Sequence, residues 1–226
     1  VSDSKLTWKD LKALLDPPRP FWVGAFWRPI PHWQLAEAVQ IGLYERGWVA
    51  SYLNAVTARN NSDGAVSFHI HRPLHTPPKG SVFGLTVIHS NAQRFGIRLY
   101  GGLVLTEQGT GFPLWTTWVG KHTNHDLQSV LGPAIEAFVK SVAGYAKTVA
   151  RLKRRKINQS ELLRWIDAAV LKGILPTSYA HELQTAGMQA TPRGLTAWNL
   201  LVSFAQLAAR FPPMKQLERT FGFYQL

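Results

Sequence analysis

Three stretches of the chain alternate apolar with polar or small residues, the period of a strand with one face turned to a core. They run from Ala65 to Arg72, from Ser81 to Ser90 and from Phe95 to Leu105. In the first, Val66, Phe68 and Ile70 share a face opposite Ser67, His69 and His71. In the second, Phe83, Leu85, Val87 and His89 alternate with Val82, Gly84, Thr86 and Ile88. In the third, Phe95, Ile97, Leu99 and Gly101 oppose Gly96, Arg98 and Tyr100. A fourth strand is predicted from Leu114 to Val119, after a loop from Glu107 to Pro113.

Downstream the period changes. Leu127, Leu131, Ala134, Phe138, Val142, Tyr145, Val149 and Leu152 step by three or four residues and form one apolar stripe. This predicts a single long helix from about Asp126 to Lys156, capped by Asn124 or Asp126, with Pro133 early enough to leave most of it intact. Asn158 and Glu161 have capping-box spacing and predict a further helix through Lys172 that stops at Gly173. Shorter helices are expected from Ser178 to Ala186 and from Ala197 to Arg210, with Thr196 as the cap of the latter.

Before the strands, Gln34 to Trp48 has helical periodicity, and Arg59 to Gly64 is a turn by composition. The first 33 residues differ. A short helical candidate from Thr7 to Leu15 precedes Pro17, Pro18, Pro20, Pro29 and Pro31, interspersed with Trp22, Trp27 and Trp33. Proline restricts itself and the residue before it, which predicts an irregular arm whose tryptophans pin it to the body. The expected organisation is thus an arm over 1–33, a strand-strand-strand-helix core over 34–156 and a helical C-terminal part of the same domain over 157–226. The expected class is α+β, a small antiparallel sheet of three to four strands packed on the long helix.

Composition adds charge to this picture. Lys and Arg number 25 against 13 Asp and Glu, a net +12. That balance favours a polyanion as partner through phosphate contacts and counterion release. The charge is clustered: six cations lie between Lys147 and Lys156 without one acid, at the end of the predicted long helix. From Gly64 to His125 there are five cations and a single acid, Glu107. No apolar run approaches the ~20 residues needed to span a bilayer, so no membrane role is expected. Cysteine is absent, which removes disulfides and thiolate chemistry and fits a reducing cytoplasm.

Candidate catalytic chemistry is sparse. His69, His71, His75, His89, His122 and His125 lie close in sequence, but with a lone acid among them they match no zincin spacing. Contact of solvent-facing strand histidines with phosphate is the better reading. No Gly-x-Ser-x-Gly elbow, P-loop or paired carboxylates occur. The expectation is a protein without enzymatic activity, cofactor or metal. Single-strand binders combine cationic grooves with aromatic stacking, and His69, His71, Arg98 and Tyr100 stand opposite apolar residues where they would line an open sheet face.

The stretch from His89 to Val104, HSNAQRFGIRLYGGLV, resembles the phage- and plasmid-associated family defined by domain of unknown function 932. That family carries a Ser-Asn turn followed by a strand with an Arg and an aromatic. A basic-His-Thr element is matched by Lys121, His122 and Thr123, a Thr-Ala-Trp helix by Thr196 to Asn199, and a late acid by Glu218. The resemblance spans about residues 34 to 221. It departs at Thr106 to Gly109, where the family has Asn-Gly, and at Ala92 and Gln93, where a glycine is missing.

The family's core is similar to that of Redβ-like single-strand annealing proteins, which hold a DNA strand in the groove of a ring or filament. The resemblance implies single-stranded DNA binding and strand annealing in recombination, without nucleotide hydrolysis, by a homo-oligomer in a bacterial cytoplasm, nucleoid-associated or phage-infected. RNA and duplex DNA are further ligands to compare. The nucleic-acid-binding residues expected are Arg94, Arg98, Tyr100, Lys121, His122, Lys147, Arg151, Lys153, Arg154, Arg155 and Lys156. The alternative is a phage protein-interaction or counter-defence module acting through the Trp-rich arm.

Overall fold

The computed structural model describes residues 6–14, 29–58, 62–73, 75–92, 96–106, 110–120, 126–189, 194–211 and 213–226. Two helices come first, α1 (Trp8–Ala13) and α2 (His32–Tyr44). Five strands follow: β1 (Val49–Ala58), β2 (Asp63–His71), β3 (Ser81–Ser90), β4 (Ile97–Leu105) and β5 (Thr110–Gly120). The chain then continues through α3 (Leu127–Val142), α4 (Tyr145–Arg154), α5 (Gln159–Leu171), α6 (Thr177–Gln189), α7 (Ala197–Ala208) and α8 (Pro213–Tyr224).

The class is α+β, but the sheet is larger than three or four strands. It has five, in the order β1-β2-β3-β4-β5, each strand beside its chain neighbours. The added strand is β1. Tyr52 pairs with Phe68 and Asn54 with Ser67, leaving Leu53 as an extra residue in the ladder. Such a bulge breaks the two-residue period that marks a strand in sequence. β1 is also held on its other side, where Leu6 and Ala55 exchange backbone hydrogen bonds of 2.8 and 3.4 Å.

The predicted long helix is two helices. α3 ends at Val142 and α4 restarts at Tyr145 with Gly144 as its N-cap. The apolar stripe continues across the break, which is why it reads as one helix in sequence. Glycine is among the weakest helix formers, and the chain turns there. Pro133 lies within α3 without ending it, and the Asp126 carboxylate caps α3 by accepting from the Gln128 and Ser129 amides.

The chain divides into two compact units. The first comprises Val1–Thr76, Val82–Gly102 and Trp115–Ala143; the second comprises Pro77–Ser81, Leu103–Leu114 and Gly144–Leu226. In the first unit, Leu35, Val39 and Leu43 of α2, Phe68 of β2, Leu85 and Val87 of β3, and Ile135 and Phe138 of α3 are buried. Gly42 lets α2 approach α3, because a β-carbon there would collide with Ile135. The Gln128 amide donates across this contact to the Ala38 carbonyl at 3.1 Å. Arg46 donates to the Gly132 carbonyl at 3.2 Å.

The second unit has its own aromatic core. The Phe204 and Phe223 rings stack at 4.1 Å with an interplanar angle of 4°. Trp165 of α5 meets Phe223 edge-on at 6.0 Å, and Leu162, Ile166, Leu200 and Leu201 complete the apolar filling.

Candidate nucleic-acid interface

The candidate interface is built on α4. Tyr145, Val149 and Leu152, at i, i+4 and i+7, are buried. Lys147, Arg151 and Arg154 repeat the same spacing on the opposite, exposed side. No acidic side chain pairs with these three among the described residues. From Gly144 to Leu226 there are twelve Lys or Arg against four Asp or Glu, so most of the net charge of the chain lies here. Cations in the last turn also face the negative end of the helix dipole.

Beyond α4 the chain is extended and held. Arg155 leaves the helix at φ −70° and ψ 107°. Its carbonyl accepts from the Ala197 amide at 2.9 Å, and the Ile157 amide donates to the Leu195 carbonyl at 3.0 Å. Lys156 and Thr196 form the β-bridge between these bonds. Thr196 also caps α7, its hydroxyl accepting from the Asn199 amide at 3.2 Å. The start of α7 therefore anchors the basic segment.

Two cations of this segment lie on indole rings. The Lys153 ammonium sits 5.5 Å from the centroid of Trp198, and the Arg155 guanidinium 5.0 Å from that of Trp165. Arg155 further donates to the Glu161 carboxylate at 2.5 Å. That bond takes the carboxylate which capping-box spacing had assigned to the start of α5. Only the Asn158 half of the box is present, its side-chain oxygen accepting from the Glu161 amide at 2.9 Å.

Of the residues expected from the sequence, Lys147, Arg151, Lys153, Arg154, Arg155 and Lys156 come together here and are exposed. Arg94, Lys121 and His122 lie outside the described residues. Arg98 and Tyr100 lie on β4 in the first unit. Arg98 is half-buried. Tyr100 is only 4% exposed, and Thr86 and Ile88 on β3 are 9% and 1% exposed. The open sheet face expected at these positions is thus closed, because both faces of the middle strands are covered.

The histidines also depart from expectation. His89 is fully buried and bonds its Nε2 to Nδ1 of His32, itself buried at the start of α2. Gly64, opposite His89 in the ladder, makes room for this pair. His69 is half-buried, and desolvation holds its imidazole below the ordinary 6.5. His75 is half-buried and packs on Trp48, with ring centroids 5.1 Å apart. Only His71 is exposed on its strand. His122 and His125 lie outside the described residues. Among the described residues, no three His, Asp or Glu side chains are grouped to hold a metal. No helix among them is long and apolar enough to cross a membrane.

Trp165 and Trp198 are the residues beside the basic cluster that charge counting passes over. Trp165 is signalled only by its position one turn after Glu161, and Trp198 by its place in the Thr-Ala-Trp motif after the Thr196 cap. No family model, curated protein or solved structure matches the chain. The resemblance to the domain of unknown function 932 therefore stands on its short motifs.

Proposed function

We propose that this protein binds single-stranded DNA through the exposed cationic side of α4 and the extended segment that follows it. The observation that carries the reading is the stripe of Lys147, Arg151 and Arg154, prolonged by Lys153, Arg155 and Lys156 with no acid between Lys147 and Lys156. Lys147, Arg151 and Arg154, at one-turn spacing and with no carboxylate paired to them among the described residues, suit a phosphate backbone, and the half-exposed aromatic rings beside the cluster favour unpaired bases over duplex. Strand annealing in recombination by a homo-oligomer of a phage or mobile element, without nucleotide hydrolysis, is the finer form of the proposal. Its support is the motif resemblance.

Filter binding of labelled single strand, duplex and RNA over a range of salt tests the reading. Single-stranded DNA is expected to bind best, with affinity falling by a log-log slope of about −0.7 per phosphate contact. Absence of binding at low salt contradicts it. For the annealing role, complementary strands are mixed with and without protein, no nucleotide being added. Faster pairing with protein is expected, and an unchanged rate excludes that role.

A second reading, a protein-interaction module, is favoured by one observation in the first unit. Ile41, Tyr44 and Val49 are 44%, 76% and 52% exposed, and they line one open apolar pocket of about 260 Å³ with Trp48. Clusters of exposed apolar side chains commonly mark contact surfaces. If copies of the chain meet there, Tyr44→Ser weakens self-association in light scattering; an unchanged mass with the variant folded shows that this patch does not join copies of the chain.

A further inference from the structure

We infer that Trp165 and Trp198 are stacking platforms for unpaired bases, and that Lys153 and Arg155 act as removable covers of their ring faces. The inference rests on the proposed single-strand binding and names the residues that would distinguish a strand with bases from a mere polyanion. Both indoles are half-exposed. Each packs against a buried phenylalanine: Trp198 against Phe112 at 5.4 Å and 55°, and Trp165 against Phe223 at 6.0 Å and 82°. Phe112 and Phe223 are both 0% exposed. Rings supported in this way lose little freedom when a ligand settles on them.

A cationic side chain lies over each ring. Lys153 and Arg155 come from one three-residue stretch, and both are exposed and rich in rotamers. A cation lying on an exposed ring is held weakly, whereas a base stacked on it is held more firmly. A single strand that follows the α4 cations brings phosphates to those same two side chains. Lys153 and Arg155 can then exchange ring for phosphate as bases take their places on the indoles. The separation of the two platforms is set by backbone, through the bonds from Ala197 to Arg155 and from Ile157 to Leu195. All the groups involved belong to the second unit.

The test compares an oligothymidine strand with an abasic strand of equal length, which carries the same phosphates and no bases. Wild-type protein is expected to bind the thymidine strand at least about tenfold more tightly, in line with the gain from one stacked base. Trp165→Leu and Trp198→Leu should each reduce thymidine-strand affinity about tenfold and leave abasic-strand affinity unchanged, while Trp→Tyr at either site should restore most of the loss. Equal affinity of the wild type for the two strands overturns the inference, whatever the folding of the variants, and leaves phosphate binding by α4 standing. Equal loss of both affinities in the leucine variants also overturns it. Failure of the wild type to bind either strand overturns both this inference and the proposed function.

Discussion

Arg155 lies over the face of Trp165 at 5.0 Å while the same guanidinium bonds the Glu161 carboxylate at 2.5 Å. One turn of α5 thus presents both a ring and an acid to a single cation. The ion pair is partly solvent-exposed, with side-chain exposures of 51% for Arg155 and 20% for Glu161. Pairs of this kind contribute about 0–1 kcal/mol. Glu161→Gln is therefore expected to cost less than about 1 kcal/mol in urea denaturation. By releasing Arg155 it should raise single-strand affinity and steepen the salt slope by about 0.7. A variant that binds more weakly, with its stability intact, contradicts the placement of Arg155 in the interface.

The approach of α2 to the sheet depends on Gly64. A β-carbon there would fall within the His32 imidazole, nearest the Nδ1 that bonds His89. His32 and His89 are both buried, so neither ring has solvent to move into. Gly64→Ala should destabilise the first unit by about 1–3 kcal/mol, the usual cost of overpacking. The measurement is the denaturant midpoint, and an unchanged midpoint shows that the His pair relaxes freely.

His69 gives a pH dependence with a defined sign. Desolvation lowers its folded-state pKa below the ordinary 6.5. Its Nε2 is buried without a hydrogen-bond partner among the described residues, which disfavours the protonated ring further. Below 6.5 the unfolded chain takes up a proton that the folded chain does not. Stability is thus complete above that value and declines as pH falls toward the folded pKa. Between about pH 7.5 and about pH 5.5, wild type should lose more stability than His69→Gln. Equal losses contradict the assignment.

Thr196 joins a helix cap to the β-bridge of the basic segment. Thr196→Ala removes the side-chain oxygen that accepts from Asn199 and should cost about 1 kcal/mol. Because the bridge is made by backbone, strand affinity should fall less than about threefold once the variant is folded, an effect smaller than one lost interface contact. Thermal melts and binding isotherms measured on one preparation separate the two effects.

Much of the secondary structure was legible because its periods are clean. β3 spans the expected Ser81 to Ser90, and Val66, Phe68 and Ile70 are buried as their alternation requires. Caps were equally readable: Asp126, Asn158 and Thr196 each hold the helix they precede. The failures have physical causes. Leu53 shifts the register of β1 and hides a strand. Gly144 interrupts α3 and α4 while the apolar stripe runs on, so a turn reads as continuous helix. Tyr100 and His89 carry polar atoms on apolar-looking strands, and alternation alone does not say whether the second face of a sheet is covered. The basic cluster was visible from charge. The contact of Trp198 with Lys153 was not, since it depends on pairing residues 155–157 with residues 195–197, distant in sequence, whereas Trp165 meets Arg155 locally, from the helix that follows.

The central claim is that the exposed stripe of α4 contacts the phosphates of a single strand. The most direct measurement is the salt dependence of single-strand affinity for wild type and for Arg151→Glu combined with Arg154→Glu, at matched thermal stability. Both side chains are exposed and neither is ion-paired among the described residues, so the fold should be unaffected. The expected result is a fall in affinity of more than about tenfold and a salt slope shallower by about 1.4, corresponding to two lost phosphate contacts. Unchanged affinity and slope in the folded double variant would contradict the account.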